Sequence, residues 1–587
     1  MFEKVLVANR GEIAVRVLRA CQDLGIATVV VHSLADADSL AVRIADEAVL
    51  LDGNSAAETY LDVAKILDAV RRTGAQAVHP GYGFLSENAA LADALAEAGC
   101  AFVGPGAAAI EGMGSKIGAR KIAAAAGVPT VPGDTDAVGE PDEVRRFAEE
   151  YGYPVAIKAS YGGGGRGMRV VRGPDEVAPG LEAAQREAQA YFGRPEVYLE
   201  RYLEHPRHVE VQILADRFGS VVWVGDRDCS VQRRHQKVIE EAPASVLDAD
   251  LRRRMGEAAV AIAREVDYVN AGTIEFLVED GAFYFLEMNT RLQVEHPVTE
   301  LVSGVDLVRE QLRIAAGHPL SFGQADLVGC GHAIEIRVNA EDPTGGAWTP
   351  SPGSLALVRP PGGFGVRWDS GYESGDAVSG HYDGLIAKLV VWGPDRDAAL
   401  ARARRAVRET QVVGVATSLP AQALILEHPD FVANRHDTRW LEDRLDLPGL
   451  LPAPSAETVP EEPEPDRSVV TVSRRRFWIP RPVEALTQVG TPAGPPAALT
   501  GRQARSAATA AGDGVVRSPM QGTVVQLLVA VGQEVVPSDV VAVVEAMKME
   551  NSVAAGVHGV VREIGAAVGA SVPAGEALAV IEPADRA

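Results

Sequence analysis

Ser160-Tyr161-Gly162-Gly163-Gly164-Gly165-Arg166-Gly167, followed by Met168-Arg169-Val170-Val171, is the stretch on which the fold turns. Gly162, Gly164 and Gly167 spell Gly-x-Gly-x-x-Gly, the dinucleotide fingerprint, which requires a helix directly after it. Here the residues that follow alternate as a strand does, and another strand, residues 154–159, comes before. A Rossmann cofactor site therefore fails on context. A mobile glycine hairpin laid over phosphates, its backbone amides pointing at oxygen anions, fits better.

Upstream of the hairpin, short apolar strands alternate with amphipathic helices. Residues 4–8, 27–31, 77–79 and 101–103 read as strands; residues 12–24, 61–72 and 87–98 read as helices, the first stopped by Gly25. This βαβα order predicts a parallel, doubly wound sheet over residues 1–115. Residues 130–203 form a second unit around the glycine hairpin, and residues 204–447 mix strands and helices.

That mixed region holds most of the polar clusters. Thr273-Ile-Glu-Phe-Leu and Phe283-Tyr-Phe-Leu-Glu287 read as a hairpin whose three-residue loop at 280–282 sets Glu275 opposite Glu287. Two carboxylates that close repel unless hard cations lie between them. From Glu287 the chain alternates without a break. Asn289, Arg291, Gln293 and Glu295 share its face, with Met288, Thr290, Leu292 and Val294 on the other, if the backbone stays extended. His208, Glu210 and Gln212 alternate with apolar residues on a further strand, and residues 227–237 read as a cationic loop suited to small anions.

The C-terminal part has a different logic. Residues 518–545 repeat as residues 555–582 at an offset of 37, which pairs Gly522 with Gly559, Gly532 with Gly569, Val535 with Val572 and Glu545 with Glu582. Each copy is too small to bury its own face, but two can pack into one pseudo-twofold β-sandwich. Val544-Glu545-Ala546-Met547-Lys548-Met549-Glu550-Asn551 then spans the joining turn, where a lysine stem carries an attached group away from the surface.

At 587 residues the chain is expected to hold two to four domains, and 47% apolar with 23% charged residues is an ordinary soluble composition. The net charge of −24 argues against nucleic acid as a main partner. Cys21, Cys100, Cys229 and Cys330 lie far apart, as reduced thiols do. The chain enters a strand at once, with no secretory leader and no long apolar run, so a soluble, cytoplasmic protein without membrane contact is expected. A Pro-, Glu- and Ala-rich stretch at 449–466 and an Ala-, Pro-, Gly- and Thr-rich one at 483–512 read as linker, with a short strand or hairpin at 468–482 between them as a candidate docking point.

Together, Ala8-Asn-Arg-Gly-Glu12, His79-Pro-Gly-Tyr-Gly-Phe84, Met113-Gly-Ser-Lys116, Gln232-Arg-Arg-His-Gln-Lys237, Glu287-Met-Asn-Thr-Arg291 and Gln293-Val-Glu-His-Pro297 resemble the biotin carboxylase domain of the ATP-grasp superfamily, essentially end to end over residues 1–447. The repeat with Ala546-Met-Lys-Met549 resembles a biotinyl carrier domain; lipoyl domains carry Asp-Lys-Ala at that turn. The whole chain is similar to the α subunits of acyl-CoA (acetyl- or propionyl-CoA) carboxylases.

The resemblance implies an α/β and α+β architecture: an N-terminal domain at 1–115, an ATP-grasp domain at 116–330 with its lid at about 130–203, and a C-terminal domain at 331–447. A linker at 448–512 and an all-β carrier sandwich at 513–584 complete it. It implies that Lys116, Lys158, Gly162, Gly163, Gly164 and Gly165 contact ATP phosphates, that Glu200, Leu203 and His208 lie around the adenosine, and that Arg201, Gln232, His235, Glu275 and Glu287 belong to the ATP site. Glu275, Glu287 and Asn289 would hold Mg²⁺ or Mn²⁺. Lys237, Arg291, Gln293 and Val294 would bind bicarbonate, Glu295 would deprotonate it, Tyr82 and Arg337 would meet biotin, and Arg337 would stabilise its enolate. Biotin itself would be covalent on Lys548, placed there by a biotin protein ligase.

The implied activity is ATP- and bicarbonate-dependent carboxylation of biotin on the chain's own carrier, a step feeding fatty acid biosynthesis. A separate carboxyltransferase β subunit would complete the reaction in a larger α/β complex with more than one copy of this chain. The alternatives are a component of another biotin-dependent carboxylase, such as one for pyruvate, and a non-catalytic carrier scaffold. Four departures stand out: Tyr161 replaces a glycine and Arg201 a lysine of several stand-alone enzymes, the loop Pro343–Pro352 is slightly longer than in the short bacterial enzymes, and the stretch between Gly449 and Asp513 is too short and too polar for the subunit-binding domain of longer α subunits.

Overall fold

The computed structural model describes residues 1–160, 168–192, 194–451, 467–472, 475–480, 514–518, 522–546, 549–572 and 575–583. The chain divides into two compact units, Met1–Val378 with Leu385–Glu457, and Ser379–Gly384 with Thr458–Ala587.

The larger unit begins with a parallel five-stranded sheet in the order Glu47–Leu50, Ala27–His32, Lys4–Val7, Ala77–His79, Ala101–Phe102. Val5, Leu6, Val7 and Val29 to Val31 are buried without alternation, as strands covered on both faces must be. The helices between them start and stop where sequence chemistry directs. Asp62 and Asn88 accept hydrogen bonds from backbone amides at two N-termini, and Gly74, at φ 67°, ends the first of these helices in the left-handed region. The edge strand Glu47–Leu50 and the short helix Leu40–Ile44 before it were not expected.

Around the glycine hairpin lies a four-stranded antiparallel sheet in the order Gly133–Val138, Val197–Arg201, Val155–Ala159, Met168–Val171. Lys158 pairs with Met168 across the last two strands, so the backbone returns as a hairpin and not into a helix. The helices Pro141–Tyr151 and Val177–Phe192 contribute Val144, Phe147, Leu181 and Ala184 to its core, against Ile157, Val171 and Leu199.

An antiparallel eight-stranded sheet positions the site. Its order is Ala282–Asn289, Asn270–Glu279, Arg207–Ala215, Val221–Arg233, Gln236–Ala242, His332–Asn339, Leu385–Gly393, Val366–Ser370. Three sequence expectations need correction here. The hairpin loop is two residues, not three, since Glu279 pairs with Ala282; a one-residue register shift between Glu275 and Phe276 then brings Glu275 opposite Glu287. The extended run ends at Asn289, and Glu295 sits at φ −82°, ψ 12° as the N-cap of the helix His296–Ser303. Residues 227–237 are not a solvated loop. They are the end of one strand, a tight turn at Arg234 and His235 with positive φ, and the start of the next.

In the smaller unit, two four-stranded sheets run Val515–Arg517, Ala577–Pro583, Gly559–Ile564, Glu534–Val535 and Met549–Ala554, Val540–Ala546, Gly522–Leu527, Ser571–Val572. The 37-residue offset carries one sheet onto the other: Thr523 pairs with Glu545 as Val560 pairs with Glu582. The sandwich encloses Val524, Val544, Val561, Leu578 and Ile581. Arg467–Val472 and Arg475–Pro480 form an antiparallel pair. No helix of the described residues is long and apolar enough to cross a membrane.

Candidate active site

Four neighbouring strands of the eight-stranded sheet place Glu287, Glu275, Glu210 and Arg227 in one transverse row. Residues directly opposite in a sheet share a face, so three carboxylates and one guanidinium stand side by side. Glu210 and Arg227 are fully buried and ion-paired. Arg227 also donates to Gln212 Oε1 and Thr299 Oγ1, both at 2.9 Å, and to Thr273 Oγ1 at 3.1 Å.

Lys237 reaches this row from the next strand. Its Nζ lies 2.7 Å from Glu210, 3.1 Å from Glu275 and 2.5 Å from Glu295. Burial works against its charge, but the acidic groups around it, Cys229, Glu210, Glu275 and Glu295, hold it firmly protonated. Burial likewise raises Glu295, yet Lys237, Arg337 and Arg227 outweigh it and hold the carboxyl well below its ordinary range. Glu295 is thus ionised, as a proton acceptor must be.

Glu275 Oε1 collects the amides of Asn289 at 2.9 Å and Gln293 at 3.2 Å, while its Oε2 faces His208 Nε2 at 2.9 Å. Despite burial, that carboxylate raises the pKa of His208. Arg291 donates to Asn289 Oδ1 and Gln293 Oε1, both at 3.0 Å, and Glu87 of the parallel-sheet region holds its Nε at 2.9 Å. Arg337 bridges Glu295, at 3.0 Å, and Glu240, at 2.6 Å. Val294 presents its carbonyl to Lys388 at 2.8 Å; Lys388 pairs with Glu12 at 3.0 Å, and Glu12 in turn accepts from the Tyr82 hydroxyl. A small cleft beside Lys237 and Arg337 is lined by Arg233, Gln236, Asn339, Trp348 and Gln422.

The structure therefore joins His208, Lys237, Glu275, Asn289, Arg291, Gln293, Glu295 and Arg337 in one network of contacts, with Val294 and Tyr82 attached through Lys388. Glu287 enters by register. A second group forms on the lid, where Glu200 pairs with both Lys158 and Arg120; Leu203 is buried just beyond. Arg201 lies on the same strand, half-buried, its backbone amide bonded to Pro132. Gln232 is buried opposite Lys237, and His235 is exposed at the turn. Residues 162–165 and Lys548 lie outside the described residues, as does the side chain of Lys116.

Several participants were not singled out from sequence. Arg227 sat unnoticed in what read as a loop. Cys229, its thiol 3.8 Å from Glu295 Oε1, passed for an ordinary thiol. Glu87 and Lys388 gave no signal, because each is a lone charge among apolar or small neighbours whose partner is remote in sequence, and Glu240 is one of two adjacent acids whose partner Arg337 lies far along the chain.

Glu275, Glu287 and Asn289 supply hard oxygen donors on two adjacent strands, a donor set that suits Mg²⁺. Clustered carboxylates with surrounding cations on the eight-stranded sheet, in one unit with the antiparallel sheet whose paired strands flank residues 161–167, fit an ATP-grasp ligase. Family patterns agree: "Biotin carboxylase, N-terminal domain" matches residues 1–110, "Carbamoyl-phosphate synthase L chain, ATP binding domain" 115–322, "Biotin carboxylase C-terminal domain" 335–443 and "Biotin-requiring enzyme" 514–581. Among curated relatives, the biotin-dependent acyl-coenzyme A carboxylase alpha3 subunit of Mycobacterium leprae is 46% identical over 99% of this chain and 98% of its own length. A pyruvate carboxylase subunit of Methanothermobacter thermautotrophicus is 49% identical over 76% of this chain and 90% of its own. The crystallised biotin carboxylase domain of Hydrogenobacter thermophilus 2-oxoglutarate carboxylase, in complex with MgADP and bicarbonate, superposes with a TM-score of 0.72 at 45% identity, covering 78% of this chain and all of that one.

The chain belongs to the biotin carboxylase family and carries a biotin-requiring module in the same polypeptide. It is an ATP-dependent ligase that carboxylates biotin using bicarbonate.

Proposed function

We propose that this chain is the α subunit of an acyl-CoA carboxylase, acting on acetyl- or propionyl-CoA through a separate carboxyltransferase β subunit. The observation that carries the reading is end-to-end similarity to the mycobacterial α3 subunit, carrier and connecting segment included. The pyruvate carboxylase relative, 49% identical, matches about three quarters of this chain. Pyruvate as acceptor is therefore the second reading.

In this assignment Lys116, Lys158 and the glycines 162–165 hold the ATP phosphates, with Glu200, Leu203 and His208 around the nucleoside. Glu275, Glu287 and Asn289 hold the metal, which when bound would offset charge developing on the transferred phosphoryl group. Lys237, Arg291 and Gln293 position bicarbonate, and Glu295 takes its proton. Arg337 and Tyr82 receive the ureido end of biotin, where an always-charged fork favours negative charge on oxygen. Covalent attachment is assigned to Lys548. The domain limits stay as the sequence drew them, with residues 448–512 as the arm.

Co-expression with candidate β subunits tests the acceptor. Capture of a carboxyltransferase, with ATP-dependent carboxylation of acetyl- or propionyl-CoA, is the expected result. A captured partner that turns over only pyruvate would transfer the protein to the second reading.

A further inference from the structure

Beyond Arg337 lies a pair of acids that the chemistry above leaves unused. Glu240 and Glu335 stand directly opposite each other on neighbouring antiparallel strands, so their carboxyls share one face of the sheet. Both residues are fully buried. Glu240 Oε1 accepts from Arg337, but its Oε2 and both oxygens of Glu335 are buried with no hydrogen-bond partner among the described residues.

Little positive charge remains for them. Arg337, two residues along from Glu335, is divided between Glu240 and Glu295. Lys388, on the strand beyond, is held by Glu12 and the carbonyl of Val294. Lys237, on the strand of Glu240, is taken up by Glu210, Glu275 and Glu295. From the helix packed over these strands, His296 faces Lys388 and is kept neutral by burial and by that charge. Neighbouring buried carboxyls so poorly compensated cannot both ionise. In keeping with this, burial drives Glu335 well above the ordinary range and Glu240 to about 7.

We propose that Glu240 and Glu335 share one proton at neutral pH and act as positioning residues that set how Arg337 divides itself between Glu240 and the substrate side of the site. With both acids ionised, two buried negative charges would draw the guanidinium away from Glu295 and from the ureido oxygen. With both neutral, Arg337 would collapse onto Glu295 and cancel the charge that makes it a base. One shared proton leaves one negative charge, which anchors Arg337 without capturing it. The same charge keeps Arg337 balanced once Glu295 has taken the proton of bicarbonate.

Two measurements on the full, biotinylated chain test this. Infrared spectra in water and deuterated water should contain the carbonyl stretch of a buried protonated carboxyl, and Glu335→Gln should remove it. In carboxylation of free biotin, the alkaline limb of the kcat profile should move up by at least about one pH unit in Glu335→Gln and return in Glu335→Asp. A wild-type infrared band in Glu335→Gln would overturn the shared proton, and an unmoved alkaline limb would overturn the positioning role. Glu240→Gln is the independent variant: it should lower kcat with KM for ATP unchanged, and a wild-type kcat there would also count against the role. The role rests on Arg337 serving the ureido oxygen. Arg337→Met with undiminished kcat would defeat that assignment while leaving the infrared result standing.

Discussion

In the large unit, a row across four strands reads Glu287, Glu275, Glu210 and Arg227; inside the carrier sandwich the repeat-related positions are Val524, Val544, Val561 and Ile581. Both are antiparallel sheets with a covered face, but they use it in opposite ways. Burying the acids costs several kcal/mol of desolvation per ion, which is offset only where each charge meets a partner. Arg227 and Lys237 meet that condition for Glu210, and Lys237 with Arg337 does so for Glu295. The outcome is a buried, mutually paired set of charges, the arrangement that the proposed anionic substrates would meet. The carrier keeps charge out of its described interior. Under the proposed assignment, chemistry is fixed in one unit and its product carried by the other.

The sharpest break of that comparison is at the two reactive ends. Lys548→Arg should abolish avidin capture entirely while carboxylation of free biotin continues; retained capture would place the modification elsewhere. Glu295→Gln should reduce bicarbonate-dependent turnover by roughly 10²-fold or more with ATP binding nearly intact, and Glu287→Gln should cause a loss of similar size that is worst at limiting Mg²⁺. Both are read from initial rates and nucleotide titration.

Stability gives the next contrast. Arg227→Met strips Glu210 of its fully buried guanidinium partner, leaves it only Lys237, and should cost about 3–5 kcal/mol. Ile581→Val, in the apolar interior of the carrier, should cost only ~0.5–1.5 kcal/mol. Denaturant unfolding of the full chain, with hydrogen exchange read separately over the two units, measures both.

Acid should separate the units as well. Burial raises Glu241, but hydrogen bonds from His332 at 2.9 Å and Arg396 at 2.7 Å hold its carboxyl far below the ordinary range. A depressed folded pKa means stability that is complete above the unfolded value, roughly 4.3 for a glutamate, and lost as pH falls toward the folded one. Glu241→Gln should therefore flatten the acid loss in the large unit. The carrier, with no buried acid among its described residues, should show a shallower dependence in the same exchange experiment.

The smallest effect expected is in the arm. Removing residues 483–510 should leave free-biotin carboxylation unchanged and slow acyl-CoA carboxylation in the reconstituted complex, because tethering sets the effective concentration of the carrier.

These contrasts follow how far the sequence could be read. The parallel sheet, the hairpin after Lys158 and the 37-residue repeat were legible because strand runs, glycines and internal similarity are local patterns. The opposition of Glu275 and Glu287 was foreseen with the wrong loop: a one-residue shift made up the difference, and such shifts leave little trace in alternation. The convergence of residues 287–295 was expected from an extended strand but arises from a bend into the cap of a helix, so the same side chains meet by another path. Arg227, Glu240, Glu335 and Lys388 were illegible for a different reason. Each is defined by a partner remote in sequence, across the sheet for the first three and on the helix Gly11–Asp23 for Lys388, and that placement is set by tertiary packing.

The central claim, that the anion site of one unit serves the lysine of the other, has a direct test. Purified biotinylated chain is incubated with ATP, Mg²⁺ and labelled bicarbonate, and the peptide containing Lys548 is followed for label. Label should appear on that peptide, require ATP and disappear in Glu295→Gln. No label in the wild-type chain, or label that persists in Glu295→Gln, would contradict it.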